Sequence, residues 1–248
     1  MKKTILLLAM WLVTVFCICY GTYKHLGGFK SVFKDGGIHI TFDDDADYNA
    51  YDAEKDESGK YTIDENLEEF SSIKIDAAVM GLTLEQGNSF KIESTFNKEY
   101  LRPEFSVKGN KLTLSQPKRK QHGINAGSQN CRVVITIPSG TLLTNIDIDS
   151  NVGDVKLRKL DAEDIDIDLN VGEISVREVK FDHIDCNTNV GEVSIYPEDD
   201  IDDYSLSLST DVGEVRVDGH SYKKSYNSKG KTGKKIKADT NVGEIKIK

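Results

Sequence analysis

Four cysteines in 248 residues are too few for a disulfide framework. Cys17 and Cys19 lie in an N-terminal apolar run; Cys131 and Cys186 lie at core-facing phase in alternating stretches. Buried thiols acting as small apolar side chains are the plain reading, with a Cys131–Cys186 disulfide as the alternative. The five histidines are scattered, and none has metal-ligand spacing. No HExxH, CxxC, P-loop, GxSxG or GxGxxG occurs in a supporting context. Cations are scarce: Thr141–Val217 holds 20 Asp and Glu against 6 Lys and Arg. Such a body excludes nucleic-acid binding, which needs Lys and Arg to displace phosphate counterions. From Asp218 on the balance reverses, with nine lysines and three acids, which leaves anionic surfaces open to the tail. After residue 26 there is no convincing amphipathic helix.

One long apolar run exists. No charge falls between Lys3 and Lys24. At about 1.5 Å per residue, residues 4–23 span roughly 30 Å, enough to cross a bilayer. Tyr20 and Tyr23 sit at its outer end, where amphipathic rings favour the interface. A cleaved signal peptide would have a shorter core and a small-residue cleavage site, and neither is found. Phe16 and Ile18 before the cysteines exclude a lipobox. The segment therefore reads as an uncleaved signal anchor. Lys2 and Lys3 hold the N-terminus in the cytoplasm and the C-terminal domain is exported, although Lys24, Lys30 and Lys34 oppose that orientation.

Residues 27–69 read as a juxtamembrane segment and an acidic linker. Within them Ile38-His39-Ile40-Thr41-Phe42 alternates like a strand. Asp43 to Glu69 is acidic and poor in aliphatics. From Ser72 the apolar period is two. Phe105–Val107 and Lys111–Leu114 flank Gly109-Asn110, a pair tolerant of positive φ, which predicts a hairpin. Cys131–Ile137 alternates again.

The second half carries five copies of one motif. They are Asn151-Val152-Gly153-Asp154-Val155, Asn170-Val171-Gly172-Glu173-Ile174, Asn189-Val190-Gly191-Glu192-Val193, Asp211-Val212-Gly213-Glu214-Val215 and Asn241-Val242-Gly243-Glu244-Ile245. Steps of 19, 19, 22 and 30 residues separate them. A fixed period near 20 means stacked supersecondary units. Seven residues before each glycine stand Ile146, Ile165, Ile184, Leu206 and Ile236. Alternation runs from there to the motif's first valine, breaks at Gly-acid and resumes. That pattern predicts strand, corner and strand, with the valines inside and the glycine supplying the bend. Nineteen residues fit either two or three short strands per coil. Stacking about 4.8 Å apart puts like residues over like in one core. Extra residues in the longer steps are expected to bulge out as loops, the larger being Gly219–Lys235. Ile73–Leu84 reads as an earlier, degenerate coil. The last repeat is expected at an open edge, where its charges discourage further coils.

The run Val133-Val134-Ile135-Thr136-Ile137-Pro138, Ile146-Asp147-Ile148-Asp149 and the Asn-Val-Gly-Asp-Val that follows resembles the bacterial putative-adhesin family of β-strand repeat proteins. The likeness covers about residues 70–248. It implies an exported β-solenoid of unknown function, with some relatives membrane-anchored and tied to Gram-positive envelope stress. It carries over no catalytic residue.

Two groups of side chains are candidate sites. Stacked coils align the corner acids Asp154, Glu173, Glu192, Glu214 and Glu244 in a column, one carboxylate per roughly 5 Å. Asp147, Asp166 and Asp185 form a second column, and Asp149 and Asp168 begin a third. They read as a solvated face or as Ca²⁺ ligands. Asp43–Glu54 partly matches a calcium-loop spacing, but Tyr48 stands where the turn wants glycine. The second group is Lys223, Lys224, Lys229, Lys231, Lys234 and Lys235. It reads as a solvated loop or as a site for an anionic wall polymer, lipid headgroup or acidic partner.

The expectation is an all-β chain: one N-terminal transmembrane helix (1–26), a linker (27–69) and a β-solenoid resembling a single-stranded β-helix (70–248). Its expected role is a non-catalytic, single-pass membrane protein presenting an adhesion, scaffold or stress-response module outside the cell, partnered with the membrane and a wall polymer or envelope protein. A Ca²⁺ or cationic-peptide binding module is the alternative, and a polysaccharide-active enzyme on a β-helix the third reading. No cofactor other than Ca²⁺ is implied.

Overall fold

Period-two alternation becomes strands on both sides of each motif glycine. The computed structural model describes residues 53–57, 59–116 and 130–248, together with the backbone of 33–34 and 37–38. The anchor (4–23) and the calcium-like spacing up to residue 52 lie outside the described residues. Residues 1–47 form one unit, in which Phe33–Lys34 pairs antiparallel with Gly37–Ile38. Residues 48–248 form the other. Among the described residues no helix is long and apolar enough to cross a membrane.

In the second unit each coil is two strands, one in each of two sheets. Coil 1 is Ser72–Val79 with Gly81–Gly87, coil 2 Leu142–Val152 with Val155–Arg158, and coil 3 Asp161–Val171 with Ile174–Val179. Coil 4 is His183–Val190 with Val193–Pro197, coil 5 Ser205–Val212 with Val215–Val217, and coil 6 Lys235–Val242 with Ile245–Ile247. The first strand of each coil lies in sheet 1 and the second in sheet 2. Pairing between coils is parallel and in register. Ile73 lies beside Ile146, then Ile165, Ile184, Ile236 and Leu206. The degenerate coil at Ile73–Leu84 is therefore a true coil. The inward rows from both sheets are fully buried and form one core. Each such aliphatic side chain contributes about 1.5–3 kcal/mol.

The stacking order departs from the chain order. Coil 6 does not end the stack; it lies between coil 4 and coil 5 in both sheets. Coil 5 holds the outer position. The Gly219–Lys235 insertion does not bulge out as a loop either. Its His220–Tyr222 and Ser225–Ser228 run antiparallel along the two strands of coil 5. Short antiparallel strands are a common way to close an edge that would otherwise recruit more strands.

The opposite end adds one more parallel strand to each sheet and is then closed by antiparallel pairing. Sheet 1 gains Lys111–Ser115 and Glu104–Lys108, joined through Gly109 (φ 57°) and Asn110 (φ 66°) as the turn chemistry predicts. Sheet 2 gains Cys131–Pro138, Lys91–Phe96 and then Tyr61–Asn66. The acidic linker is thus corrected in part, because Tyr61–Asn66 is a sheet strand. Ile63 is buried, and the Tyr61 ring stacks on Phe96 at 5.1 Å. The antiparallel strands among these additions mean that the domain is not a pure solenoid.

At the corners the chains come into closest approach. A β-carbon on Gly172 would lie 1.9 Å from the Gly153 oxygen, and one on Gly191 would lie 1.7 Å from the Gly172 oxygen. The Gly243 and Gly213 positions meet the oxygens of Gly191 and Gly243 at 1.6 and 1.7 Å. Only glycine permits this contact. Gly191→Ala is expected to cost about 3 kcal/mol or more of unfolding free energy. Gly140→Ala, with nothing within 4 Å of its β-carbon but φ at +82°, should cost about 1 kcal/mol. Urea denaturation measures both, and equal losses would show that corner contact is not the limiting constraint.

Candidate functional site

The expectation that all motif valines point inward is wrong for the first one. Val152, Val171, Val190, Val242 and Val212 are 45 to 63% exposed, whereas Val155, Ile174, Val193, Ile245 and Val215 are buried. The strand leaves the sheet plane after Ser150, so that Asn151 and Val152 both face outward. Repeated along the stack, this makes a valine ridge at the corner.

Beside it runs an asparagine ladder. The Asn170 amide donates to Asn151 at 2.6 Å, Asn189 to Asn170 at 2.7 Å and Asn241 to Asn189 at 2.8 Å. Each amide has both a donor and an acceptor, so like residues satisfy one another down a column. Asp211 occupies this place in coil 5 and ends the amide series.

On the other side stand the five corner acids, in the spatial order Asp154, Glu173, Glu192, Glu244, Glu214. Lys246 bridges Glu192 and Glu244 at 3.0 Å each. Arg216 bridges Glu214 at 2.7 Å and Glu244 at 2.9 Å. Burial would raise the Glu192 carboxyl, but hydrogen bonds from Ser194 and Lys246 hold it below its ordinary value. Asp154 accepts from the Glu173 backbone N–H at 3.1 Å. Asp154 and Glu173 have no cation partner among the described residues. No group of three or more His, Cys, Asp or Glu is placed to hold a metal among them.

The outward face of sheet 1 carries the other aspartates. Asp147, Asp166 and Asp185 lie side by side. Lys74 pairs with Asp147 at 3.5 Å and Lys237 with Asp185 at 2.8 Å. Asp166 stands between them. Burial lifts its carboxyl above the ordinary value; Asp168, Asp185 and Asp147 add to this and Lys237 opposes it. In the third column Asn187 interrupts the acids and donates to Asp168 at 2.9 Å.

The lysine group is divided by the structure. Lys234 pairs with Asp199 at 2.6 Å and Lys231 with Asp202 at 2.9 Å, so these two tie the insertion to the turn before coil 5. The Lys234 hydrogen bond holds the Asp199 carboxyl below its ordinary value. Lys223, Lys224, Lys229 and Lys235 are exposed and make no ion pair with a described residue. Cys131 and Cys186 are buried free thiols; burial pushes Cys131 up to about 12 and raises Cys186 well above its ordinary value.

The sequence profile of the family described as Toastrack DUF4097 matches residues 70–248. No curated protein matches the chain. Among solved structures, a putative cell adhesion protein from Clostridium sporogenes is 17% identical, with 76% of this chain and 98% of that one covered and a TM-score of 0.58. That likeness shows the fold alone. A putative adhesin from Bacteroides fragilis is 15% identical, covers 76% of this chain and 97% of its own, and has a TM-score of 0.35.

The aspartate row generates a pH prediction. The folded state raises the Asp166 pKa, so it binds this proton more tightly than the unfolded chain. Stability from this group is gained as pH falls through the folded value and lost as pH rises through it. Asp166→Asn is therefore expected to raise the unfolding free energy at pH 7 by about a few tenths of a kcal/mol given the exposure, read as a higher melting temperature. The gain should shrink toward pH 4; a lower melting temperature at pH 7 would refute the account.

Proposed function

The chain belongs to the Toastrack DUF4097 family, and from that premise we propose an exported, non-catalytic module of the cell envelope. It is anchored in the membrane through residues 4–23, with the N-terminus cytoplasmic and the stack outside. It serves as an adhesion or scaffold surface or as a stress-response module of the envelope, with a wall polymer or envelope protein as partner. The observation that carries this reading is the corner array. Valine and acid recur in register along five coils and asparagine along four of them, about 20 Å in all at a strand spacing near 4.8 Å. A rigid rib of that kind suits an extended partner, since each coil offers the same contacts again. The reading agrees with the name borne by the C. sporogenes protein. The carboxylate clusters recur because the coils do, so their closeness needs no catalytic explanation.

A second reading, a cationic peptide as partner, is favoured by Asp154 and Glu173, the corner acids without a cation beside them. Ca²⁺ would need ligands beyond the pairs that the corner offers.

Purified wall polymer on beads should retain the full-length chain. Replacing Val152, Val171 and Val190 by serine should weaken retention about tenfold, about 1.4 kcal/mol, without lowering the melting temperature, because these side chains are exposed. Undiminished retention would remove the ridge from the reading. If a cationic peptide is the partner instead, Asp154→Asn with Glu173→Gln abolishes peptide capture and leaves polymer capture intact. A tag on the C-terminus should be cut by protease added to intact cells; a protected tag would reverse the topology.

A further inference from the structure

Where the stack ends at coil 5, the two sheets do not close completely. The insertion's edge strands place Tyr222 beside Val215 and Tyr226 beside Leu208, so both rings take core-facing phase. The rings lie 4.4 Å apart at 46° and pack against the core without being fully buried. With no further coil beyond them among the described residues, they wall a cleft of about 400 Å³. Leu206 and Val217 also line it. That volume lies within the range of small-ligand sites, roughly 300–1,000 Å³.

The rim is polar. Lys231 and Asp202 satisfy each other at 2.9 Å. Lys229 and the Asp218 carboxylate make no ion pair with a described residue. His220 hydrogen-bonds the Asp218 backbone oxygen through Nδ1 at 3.1 Å. A carbonyl only accepts, so Nδ1 carries the proton, and the Nδ1–H tautomer of the imidazole presents Nε2 as an acceptor. Edge closure accounts for the two short strands. It does not require an unpaired lysine and an unpaired carboxylate at the mouth of an aromatic-walled cleft.

These groups select a ligand class. An aliphatic ligand would strip water from Asp218 and His220 without replacing it. A uniformly anionic polymer would meet two carboxylates. A sugar ring fits both demands: its C–H face rests on an aromatic wall, and its hydroxyls donate to a carboxylate and an imidazole nitrogen. One anionic substituent then completes the set at Lys229. We propose that this end cleft binds an acidic saccharide, with the ring against Tyr222 and Tyr226, hydroxyls on Asp218 and His220, and the anionic group on Lys229. The proposal rests on the envelope reading above and adds to it the site and the ligand chemistry.

The test is an array of oligosaccharides in acidic (uronic acid and phosphate-bearing) and neutral forms of the same rings, probed with the full-length chain. Acidic members should bind above their neutral counterparts. Lys229→Gln should weaken acidic members about tenfold and leave neutral ones unchanged, and Asp218→Asn should weaken both. Lys111→Gln, at the opposite end of the stack, is the control for net charge. Melting curves confirm that each variant is folded. Tyr226→Ala should lose both classes; should it unfold, Lys229→Gln still decides. The proposal is overturned if no acidic member binds, or if Lys229→Gln and Asp218→Asn bind as the unsubstituted chain does. A silent array with the chain still held by wall polymer would sink the cleft and leave the envelope reading standing.

Discussion

At each corner a backbone oxygen of one coil occupies the place that a β-carbon would take on the next. Glycine is the condition for that approach, and the approach brings the coils into one register. Backbone hydrogen bonds then run from corner to corner: Gly153 N–H to the Val171 oxygen, Gly172 to Val190, Gly191 to Val242 and Gly243 to Val212, each at 3.0 Å. Once the corners coincide, every position flanking them must coincide too. The buried isoleucine rows, the amide ladder, the valine ridge and the acid column all follow from this single contact.

A register this strict also repeats every liability. One carboxylate per coil becomes a row of like charges, and one outward valine becomes a ridge. The molecule answers where it can. Lys74 and Lys237 sit at the ends of the Asp147–Asp166–Asp185 row, and Lys246 and Arg216 intersperse the corner acids near the coil 5 end. Asparagine needs no such relief, because its side chain pairs with its own kind. The two ends of the stack are covered by antiparallel strands, so neither presents a long parallel edge.

Much of the fold was legible from residue phase. The Ile-x-Ile rows, the corner glycines, the Gly109-Asn110 hairpin and the two buried thiols are where alternation placed them. The ridge was not legible, because strict alternation carries Val152 inward with Ile146 and Ile148. The backbone breaks that parity one residue before the glycine, and apolar character does not report it. Tyr61–Asn66 was obscured by its acids, since only Ile63 and the Tyr61 ring reach the core. The order of coils 5 and 6 was hidden for a deeper reason. Both carry apolar residues at the same phase, and phase alone cannot rank them against coil 4. The 30-residue step was the available signal: it allows the chain to pass along coil 5 and return beneath it. At the candidate sites, phase assembled the acid column and set Arg216 and Lys246 two residues after their acids, near enough to neutralise part of its charge, as the ion pairs show. It also grouped six lysines of which two are structural.

The inserted coil has a consequence for how the chain comes into being. A repeat stack whose last segment lies at its edge can mature behind the ribosome or translocon, one layer at a time. Here Lys235–Ile247 is an interior layer that follows, in the chain, the outer layer covering it. Coil 5 emerges first and must either wait apart or yield its place on coil 4. The stack is therefore filled out of chain order: an inner layer is laid down after the layer that covers it, and losing that segment would open a gap inside the core, not at a rim.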